Sequence, residues 1–374
     1  MIYLDYSANT PADSRVLQRF CQVEQAFFGN PNAQHTAGFA AKAEMARITD
    51  AIAGLLGIGA EEIIYTSGAS ESNNTAIKGI AHAGRRPGRH IISTPLEHSS
   101  VSGCLAALQE QGYEIDLLNV GRDGKVELSH LQKLLREDTV LVAVCAVDSE
   151  LGTVQPIAEI AEILRAYPNC RFHVDATQAV GKTKLVFDGV DTMSFAPHKF
   201  YGLNGSGILF KHRGVGMEPL IYGGASTTSS RSGTPALALA AATETALRLA
   251  LTQQEERTAA VQKKNDTLRA SLAAYPKVRV NSPADAVPHI LNLSVQGVRG
   301  PAFQKALDER GVCVSVRSAC SADGLPSKAV LAVSHDRKNA LSSWRVSLSH
   351  LTTEEELRGF LAAFDACYQE LAGP

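Results

Sequence analysis

Short apolar runs alternate with helical patterns through the first two thirds of the chain, and this alternation sets the expected fold. Helical patterns near 40–56, 71–83, 99–111, 128–136 and 156–166 separate most of the runs. The runs that read as buried strands are 62–66, 89–93, 113–118, 139–147, 170–174 and 204–211. A β–α–β–α order of this kind predicts a three-layer α/β/α domain around a mostly parallel sheet.

The pattern changes at Pro235, where a long Ala- and Leu-rich helical stretch begins and continues to about residue 270. Thr353 and Glu356 have the spacing of a capping box at the start of a final helix. Strands near 277–281, 288–295, 311–316 and 343–348, with helices near 301–310 and 353–371, predict a smaller α+β domain. We therefore expect a large domain over 15–255 and a small domain made of 1–14 plus 256–374.

Composition and charge exclude several classes of protein. The chain has 374 residues, 45% hydrophobic and 20% charged, with a net charge of −2. This charge does not indicate a nucleic-acid-binding protein, and no apolar run reaches the length needed to span a membrane. The first residues lack the pattern of a signal peptide, so we expect a cytoplasmic protein. Seven scattered cysteines without Cys-x-x-Cys spacing argue against a disulfide framework and against a metal site.

Lys199 and Asp175 are the strongest chemical signals in the sequence. Lys199 follows a short apolar strand, and Asp175 ends another strand some two dozen residues earlier. A lysine that holds an aldehyde and a carboxylate that keeps a pyridine nitrogen protonated are what a pyridoxal 5'-phosphate (PLP) enzyme requires. Considered alone, Lys199 could be a surface lysine and Asp175 could cap a helix. The two residues together favour a PLP site.

Other runs fit the same cofactor but have ordinary structural readings of their own. The turn from Ser67 to Asn74, with Ser70, and the cluster from Ser230 to Thr234 each place hydroxyl and N–H groups at a helix start, where a phosphate binds. Gln178 could donate to the phenolate oxygen of the ring. His98 could stack on the ring or could cap a helix. Arg345 could grip a substrate carboxylate or could be a solvated arginine of an edge strand.

Taken in order along nearly the whole chain, these runs resemble the cysteine desulfurase family of PLP enzymes, within the class V aminotransferases. The motifs that carry the resemblance are Tyr3 to Thr10, Gly29-Asn30-Pro31, Ser67 to Asn74, Glu97-His98, Glu150 to Pro156, His173 to Gln178, His198-Lys199, Arg231 to Thr234, Ser318-Ala319-Cys320 and Arg345 to Leu348. Any one of them is weak, whereas ten in the same order are a specific signal.

The resemblance implies a PLP transferase of fold type I that works as a homodimer. Lys199 would hold the cofactor as a Schiff base and His98 would stack on the ring. The other implied cofactor-binding residues are Ala69, Ser70, Ser149, Asp175, Gln178, His198 and, from the second subunit, Thr234. Arg345 and Asn30 would bind the substrate. Cys320 would take the sulfur of L-cysteine as a persulfide, leave L-alanine, and pass the sulfur to an acceptor protein of iron–sulfur cluster or thio-cofactor and tRNA biosynthesis.

This sequence departs from the family pattern around the substrate rather than around Lys199. Asp148-Ser149 stands in place of Asn-Asn, Ala196 in place of a serine, and Arg317 in place of a glycine, and residues 225–230 also differ. Arg317 would favour the thiolate of Cys320. The departures leave alternatives open: another PLP enzyme of the class, such as a selenocysteine lyase, aminotransferase or β-lyase, or a catalytically impaired scaffold that retains the fold.

Overall fold

A computed structural model of the chain describes residues 1–83, 88–224, 228–316 and 325–373. Its strands, in chain order, are β1 (Ile2–Tyr3), β2 (Ile63–Thr66), β3 (His90–Ser93), β4 (Glu114–Leu117), β5 (Thr139–Cys145), β6 (Arg171–Asp175), β7 (Thr192–Phe195), β8 (Gly207–Lys211), β9 (Val278–Val280), β10 (Ile290–Val295), β11 (Val312–Cys313) and β12 (Ser343–Ser347).

The helices alternate with these strands in the first half of the chain and flank a second sheet in the last third. In chain order they are α1 (Ser14–Ala26), α2 (Thr36–Leu56), α3 (Ala69–His82), α4 (Ser99–Glu110), α5 (Leu128–Leu134), α6 (Ile157–Leu164), α7 (Leu237–Thr252), α8 (Gln254–Leu272), α9 (Gly300–Asp308), α10 (Lys328–Ser334), α11 (Arg337–Ser342) and α12 (Glu354–Leu371). No helix in these described ranges is long and apolar enough to cross a membrane.

The large sheet has seven strands in the order β2-β8-β7-β6-β5-β3-β4. All neighbouring pairs are parallel except the two that involve β8, which runs antiparallel to β2 and β7. The mostly parallel sheet predicted from the sequence is thus confirmed. Because the carboxyl ends of the parallel strands meet at one edge, side chains that follow β5, β6 and β7 are brought together there.

Both faces of this sheet are buried, which makes the domain three-layered. Along β5, Leu141 and Ala143 pack with α3 and α4, whereas Val142 and Val144 pack on the other face with α6. Successive side chains of a strand point to opposite faces, so a strand covered on both sides has to be apolar throughout. This explains why the sequence of β5 is a continuous hydrophobic run rather than an alternating one.

The second sheet has three antiparallel strands in the order β12-β10-β9 and a core of its own. Trp344 of β12 stacks on Phe303 of α9 with ring centroids 5.1 Å apart, and Phe364 of α12 lies against both rings. The N-terminal β1 pairs in parallel with β11, and Leu4 belongs to the same core. The small α+β unit is therefore present; the domain boundaries after residues 14 and 255 stay a prediction.

Three local features differ from the sequence-based expectation. The stretch 235–270 is two helices rather than one, because Gln253 takes a non-helical conformation between α7 and α8. Helix α1 was not expected; it buries Val16 and Val23, and Phe20 packs partly buried against the same core. Helices α10 and α11 are seven and six residues long, too short for helical periodicity to be recognised.

Candidate active site

A cavity of about 400 Å³ lies at the carboxyl edge of the large sheet, between the two sheets of the chain. Its walls come from the N-terminal segment, the start of α3, the ends of β5 and β6, the turn after β7, and β12. The lining residues are Ser7, Ala8, Ser67, Gly68, Ala69, Ser70, Glu71, Leu96, His98, Cys145, Val147, Ser149, Asp175, Thr177, Gln178, His198, Lys199 and Arg345. Nearly all the residues singled out from the sequence converge here.

Lys199 stands in the short turn after β7 and points its amine at the N-terminal segment. Its Nζ donates to the carbonyl oxygens of Ser7 at 2.9 Å and of Ala8 at 2.6 Å. Two residues later, Tyr201 has a left-handed backbone with φ 68°, which is uncommon outside glycine. The turn is held by Thr10, whose Oγ1 donates to the carbonyl of His198 at 2.9 Å and accepts from the Tyr201 amide at 2.7 Å. The ε-amine is therefore rigidly directed into the cavity.

Asp175 ends β6 as a buried carboxylate with two donors. Its Oδ1 accepts from the Thr177 amide at 2.9 Å, and its Oδ2 accepts from Nδ2 of Asn73 at 2.8 Å. Since Asp175 also lines the cavity, it presents a carboxyl group in a fixed orientation to whatever binds there.

His98 takes the helix-capping role that the sequence left open, and its ring is also placed at the cavity. It is the N-cap of α4, where its Nδ1 accepts from the Ser100 amide at 3.1 Å. The ring also lines the cavity. Burial lowers the pKa of His98, with the charge of Lys199 acting in the same direction and that of Asp175 opposing it. A neutral imidazole is suited to stacking on a planar ring.

Asn73 is a residue that the sequence reasoning missed, and it joins Asp175 to His98. Its Nδ2 donates to Asp175 and to Oγ of Ser100 at 2.8 Å, and that hydroxyl is 2.9 Å from Nδ1 of His98. Its Oδ1 is 3.0 Å from Nε2 of His173 and accepts from Ser194. Because a carboxylate can only accept, the amide nitrogen of Asn73 must face Asp175.

The orientation of Asn73 also fixes the tautomer of His173. The oxygen of Asn73 needs a donor at 3.0 Å, so His173 carries its proton on Nε2, and Nδ1 accepts from the hydroxyl of Thr192 at 2.9 Å. Burial lowers the pKa of His173 to about 4, so the ring is neutral. The period-two spacing of His173 and Asp175 on one strand was the available signal for a shared network.

The start of α3 is arranged to receive an anion. Ala69 and Ser70 open the helix after Gly68, where N–H groups and the positive end of the helix dipole face the cavity. Glu71 is adjacent, but Nε of Arg231 binds its Oε1 at 2.8 Å and the Ser67 amide binds its Oε2 at 2.7 Å. The Arg231–Glu71 pair was not anticipated; it neutralises the carboxylate and ties the cluster from Ser230 to Thr234 to the helix start.

Arg345 is a buried arginine in the middle of β12 rather than a solvated arginine of an edge strand. It is 2% exposed. Its Nη1 donates to the carbonyl of Ser149 at 2.7 Å and its Nη2 to Oδ1 of Asp5 at 2.9 Å. Its Nε has no hydrogen-bond partner among the described residues. A buried guanidinium with an unused N–H at a cavity wall is able to bind a further acceptor.

The departures from the family pattern leave these contacts in place. Ser149 holds Arg345 through its main-chain carbonyl, which any side chain at that position would supply. The neighbouring Asp148 is buried, and burial together with Glu150 raises its pKa to about 7, so its protonated form is populated near neutrality. Ala196 is fully buried and contributes no hydroxyl.

Some expected site residues are not brought into the cavity of a single chain. Asn30 is exposed and its Oδ1 caps the amide of Asn32 at 2.9 Å. Thr234 is exposed and does not line the cavity. Cys320 and Arg317 lie outside the described residues, as does part of the divergent segment 225–230. The roles given to these residues stay predictions.

The residues of the cavity fit PLP. A lysine amine, a buried carboxylate, a flat neutral imidazole and an anion-binding helix start surround one space, and these are the groups that an aldehyde, a pyridine nitrogen, an aromatic ring and a phosphate need. The orphaned Nε of Arg345 adds a place for the carboxylate of an amino acid.

Comparison with known proteins gives matches over almost the whole chain. The profile of the family described as aminotransferase class-V matches residues 2–360. A NifS/IcsS protein homolog of Lactobacillus delbrueckii subsp. bulgaricus is 39% identical, covering 100% of this chain and 98% of the relative. Cysteine desulfurase IscS of Pseudomonas aeruginosa is 38% identical over 95% of this chain and 90% of its own length. A solved NifS-like protein superposes with a TM-score of 0.93 at 32% identity, covering 99% of this chain and 100% of that one.

Proposed function

Because the chain belongs to the aminotransferase class-V family and, within it, to the cysteine desulfurases, we propose that it is a PLP-dependent enzyme that converts L-cysteine to L-alanine and retains the sulfur on Cys320. The observation that carries the proposal is the convergence of Lys199, Asp175 and Arg345 on one cavity. The expected fold type I agrees with the match to the solved NifS-like protein.

The residues of the cavity divide between the parts of the cofactor. Lys199 binds the aldehyde, Asp175 holds the proton of the ring nitrogen, and His98 stacks on the ring. Gln178 donates to the phenolate oxygen and Ser149 borders the ring. Ala69, Ser70 and His198, with Thr234 of a second copy of the chain, hold the phosphate. When bound, PLP supplies an electron-withdrawing ring that stabilises negative charge at the α-carbon of an attached amino acid.

The substrate is positioned through its carboxylate. Arg345 offers its unused Nε, and its two Nη atoms are fixed by Ser149 and Asp5, so the guanidinium plane cannot turn away. Asn30, from the loop before α2, is proposed as a second contact. Lys199 takes the proton from the α-carbon, because its amine is already directed into the cavity.

The sulfur step requires a nucleophile, and Cys320 is proposed to supply it. Its thiolate attacks the sulfur of the substrate; the S–S bond forms, the bond between Cβ and sulfur breaks, and its electron pair stays with the carbon, which is finally protonated to give alanine. Cys320 follows Ser315 by five residues. The main chain of Ser315 is bonded in both directions to that of Arg345, and its Oγ donates to Asp5 at 2.7 Å. This tether supports the assignment.

A homodimer and a sulfur-acceptor protein complete the proposal. Large apolar side chains are exposed just before α2, in its first turn and before Thr234: Phe28 is 84%, Phe39 54% and Tyr222 69% exposed. Exposed apolar groups of this size favour an interface, and a second copy would cover them while delivering Thr234. The persulfide is then passed to an acceptor of iron–sulfur cluster or thio-cofactor and tRNA biosynthesis. A cytoplasmic location stays a prediction.

The test combines cofactor trapping with mass spectrometry. Borohydride reduction of the purified protein should attach the cofactor to the peptide that carries Lys199, and the Lys199→Arg variant should show no attachment. Incubation with L-cysteine should then add one sulfur atom to Cys320 and release alanine. Attachment elsewhere would refute the cofactor site, and undiminished alanine production by Cys320→Ala would favour a lyase or another PLP enzyme of the class. Attachment without any turnover would favour the scaffold.

A further inference from the structure

We propose that Lys182 is a positioning residue that orients the amide of Gln178 so that its N–H, and not its carbonyl oxygen, faces the cofactor. Lys182 does not line the cavity; it lies behind Gln178. The inference rests on the proposed function, since it concerns what Gln178 presents to the phenolate oxygen of PLP.

The hydrogen bonds of Gln178 define its orientation. Nζ of Lys182 donates to Oε1 of Gln178 at 2.6 Å, and Nε2 of Gln178 donates to the carbonyl oxygen of Ser7 at 2.9 Å. An ammonium group can only donate and a carbonyl can only accept, so the two ends of the amide are distinguished by their partners. One N–H of Nε2 is used by Ser7, and the second remains for the cavity that Gln178 lines.

Lys182 occupies an unfavourable place for a cation. The charges of Lys199 and Arg345 both disfavour its protonated form, and Nδ1 of His289, whose pKa the charge of Lys182 helps to lower, has no hydrogen-bond partner among the described residues. Burial, with smaller contributions from Lys199 and Arg345, lowers the pKa of Lys182 to about 7. The short hydrogen bond of Lys182 goes to an uncharged amide oxygen, which does not neutralise its charge. We infer that the effect of this hydrogen bond is to fix the orientation of Gln178.

Without Lys182 the carbonyl of Ser7 alone holds the orientation of the Gln178 amide, and the turned-over amide becomes populated. The carbonyl oxygen would then face the phenolate oxygen, and an attraction would become a repulsion between two acceptors. An N–H directed at the phenolate stabilises its negative charge and so lowers the proton affinity of the nitrogen through which Lys199 holds the cofactor. Loss of the orientation should therefore raise the pKa of that nitrogen.

The measurement is a pH titration of the visible absorbance of the bound cofactor, in the holoenzyme without substrate. Lys182→Met should raise the midpoint by at least about one pH unit, a tenfold increase in proton affinity, as expected for a lost hydrogen bond to a charged acceptor. Lys182→Arg retains a donor and should stay close to the unmodified protein. Gln178→Glu keeps the bond to Lys182 but has no N–H for the cavity, so its midpoint should also rise.

Variants made in the Gln178→Ala protein separate an effect of Gln178 orientation from a direct effect of the Lys182 charge on the cofactor. In Gln178→Ala protein, Lys182→Met should change the midpoint by less than a third of the shift seen in the unmodified background. The inference would be overturned if Lys182→Met shifted the midpoint equally in the unmodified and the Gln178→Ala protein, or if it did not shift the midpoint of the unmodified protein. If Lys182→Met does not fold, a Lys182→Arg midpoint as high as that of Gln178→Glu would also overturn it. Failure of the proposed function itself would be recognised separately, because the unmodified protein would then show no absorbance attached to Lys199.

Discussion

Glu97 is a buried acid beside the proposed active site, and its replacement by glutamine should change how stability depends on pH. Oε1 of Glu97 accepts from the hydroxyl of Thr94 at 2.7 Å and from the amide of Cys145 at 2.9 Å, whereas Oε2 has no partner among the described residues. Burial, with the nearby charge of Asp175, raises the pKa of Glu97 to about 8. The folded protein therefore keeps this carboxyl protonated at neutral pH.

The magnitude follows from the difference between the folded and unfolded states. An unfolded chain releases the proton near pH 4.5, so between pH 4.5 and 8 the folded state binds one more proton than the unfolded state. The free energy of unfolding then falls as the pH rises, by about 1.4 kcal/mol per unit. Glutamine keeps the acceptor and has nothing to titrate. From pH 4 to pH 7, Glu97→Gln should gain about 3 kcal/mol relative to the unmodified protein.

Urea titrations followed by far-ultraviolet circular dichroism at pH 4, 5, 6 and 7 would measure this difference. The two proteins should have the same slope against urea, and the gap between their free energies of unfolding should widen steadily with pH. A gap that is constant across the four pH values would refute the reasoning, because it would mean that Glu97 titrates alike in the folded and unfolded states. Thr94→Val, which removes a donor to the same carboxylate, should raise the pKa of Glu97 further, so that the fall in stability continues above pH 8 while the slope between pH 5 and 7 is unchanged.

The buried polar network behind Asp175 gives two further predictions. Asn73→Ala should lower the free energy of unfolding, measured by urea titration, by about 3 kcal/mol, because His173, Ser194 and Asp175 each lose a hydrogen-bond partner inside the protein. Asn74→Ala, at the partly exposed neighbouring position, should lower it by about 1 kcal/mol or less. Equal losses for the two variants would contradict the network. The contribution of His173 to stability should fall as the pH drops from about 6.5 to about 4, opposite in sign to that of Glu97, because the histidine of the unfolded chain binds a proton in this range whereas the buried His173 stays neutral. His173→Gln should flatten this fall by up to about 1.4 kcal/mol per pH unit, and an unchanged slope would show that His173 is not the group responsible.

The sequence predicted the large sheet well because its signals are local. The apolar run 139–147 became β5, buried on both faces, and Thr353 with Glu356 formed the expected capping box of α12. Shorter elements were missed for the same reason. A helix such as α11, with six residues, offers less than two turns of periodicity. In α1, by contrast, Val16, Phe20 and Val23 keep helical spacing, and this signal was overlooked.

The site was predictable as a set of residues but not as a set of contacts. Lys199, Asp175, His98 and Arg345 converge as expected. The partner of Arg345 is Asp5, 340 positions away in sequence, and no spacing rule relates two such residues. Asn73 and Lys182 were missed because each acts through another side chain. The sequence around a polar residue in a helix or after a turn does not indicate which distant side chains it contacts.

The N-terminal segment has a consequence for how the protein is made. Asp5, Ser7, Ala8 and Thr10 bind Arg345, Gln178, Lys199 and the His198 turn, so the first ten residues form one wall of the cavity. A ribosome completes them long before it reaches Arg345. β1 and Asp5 must wait, unplaced, until β11 and β12 emerge to pair with them. Binding of the proposed cofactor should therefore be a late event in biosynthesis, and a nascent chain stalled before β11 should be unable to retain it.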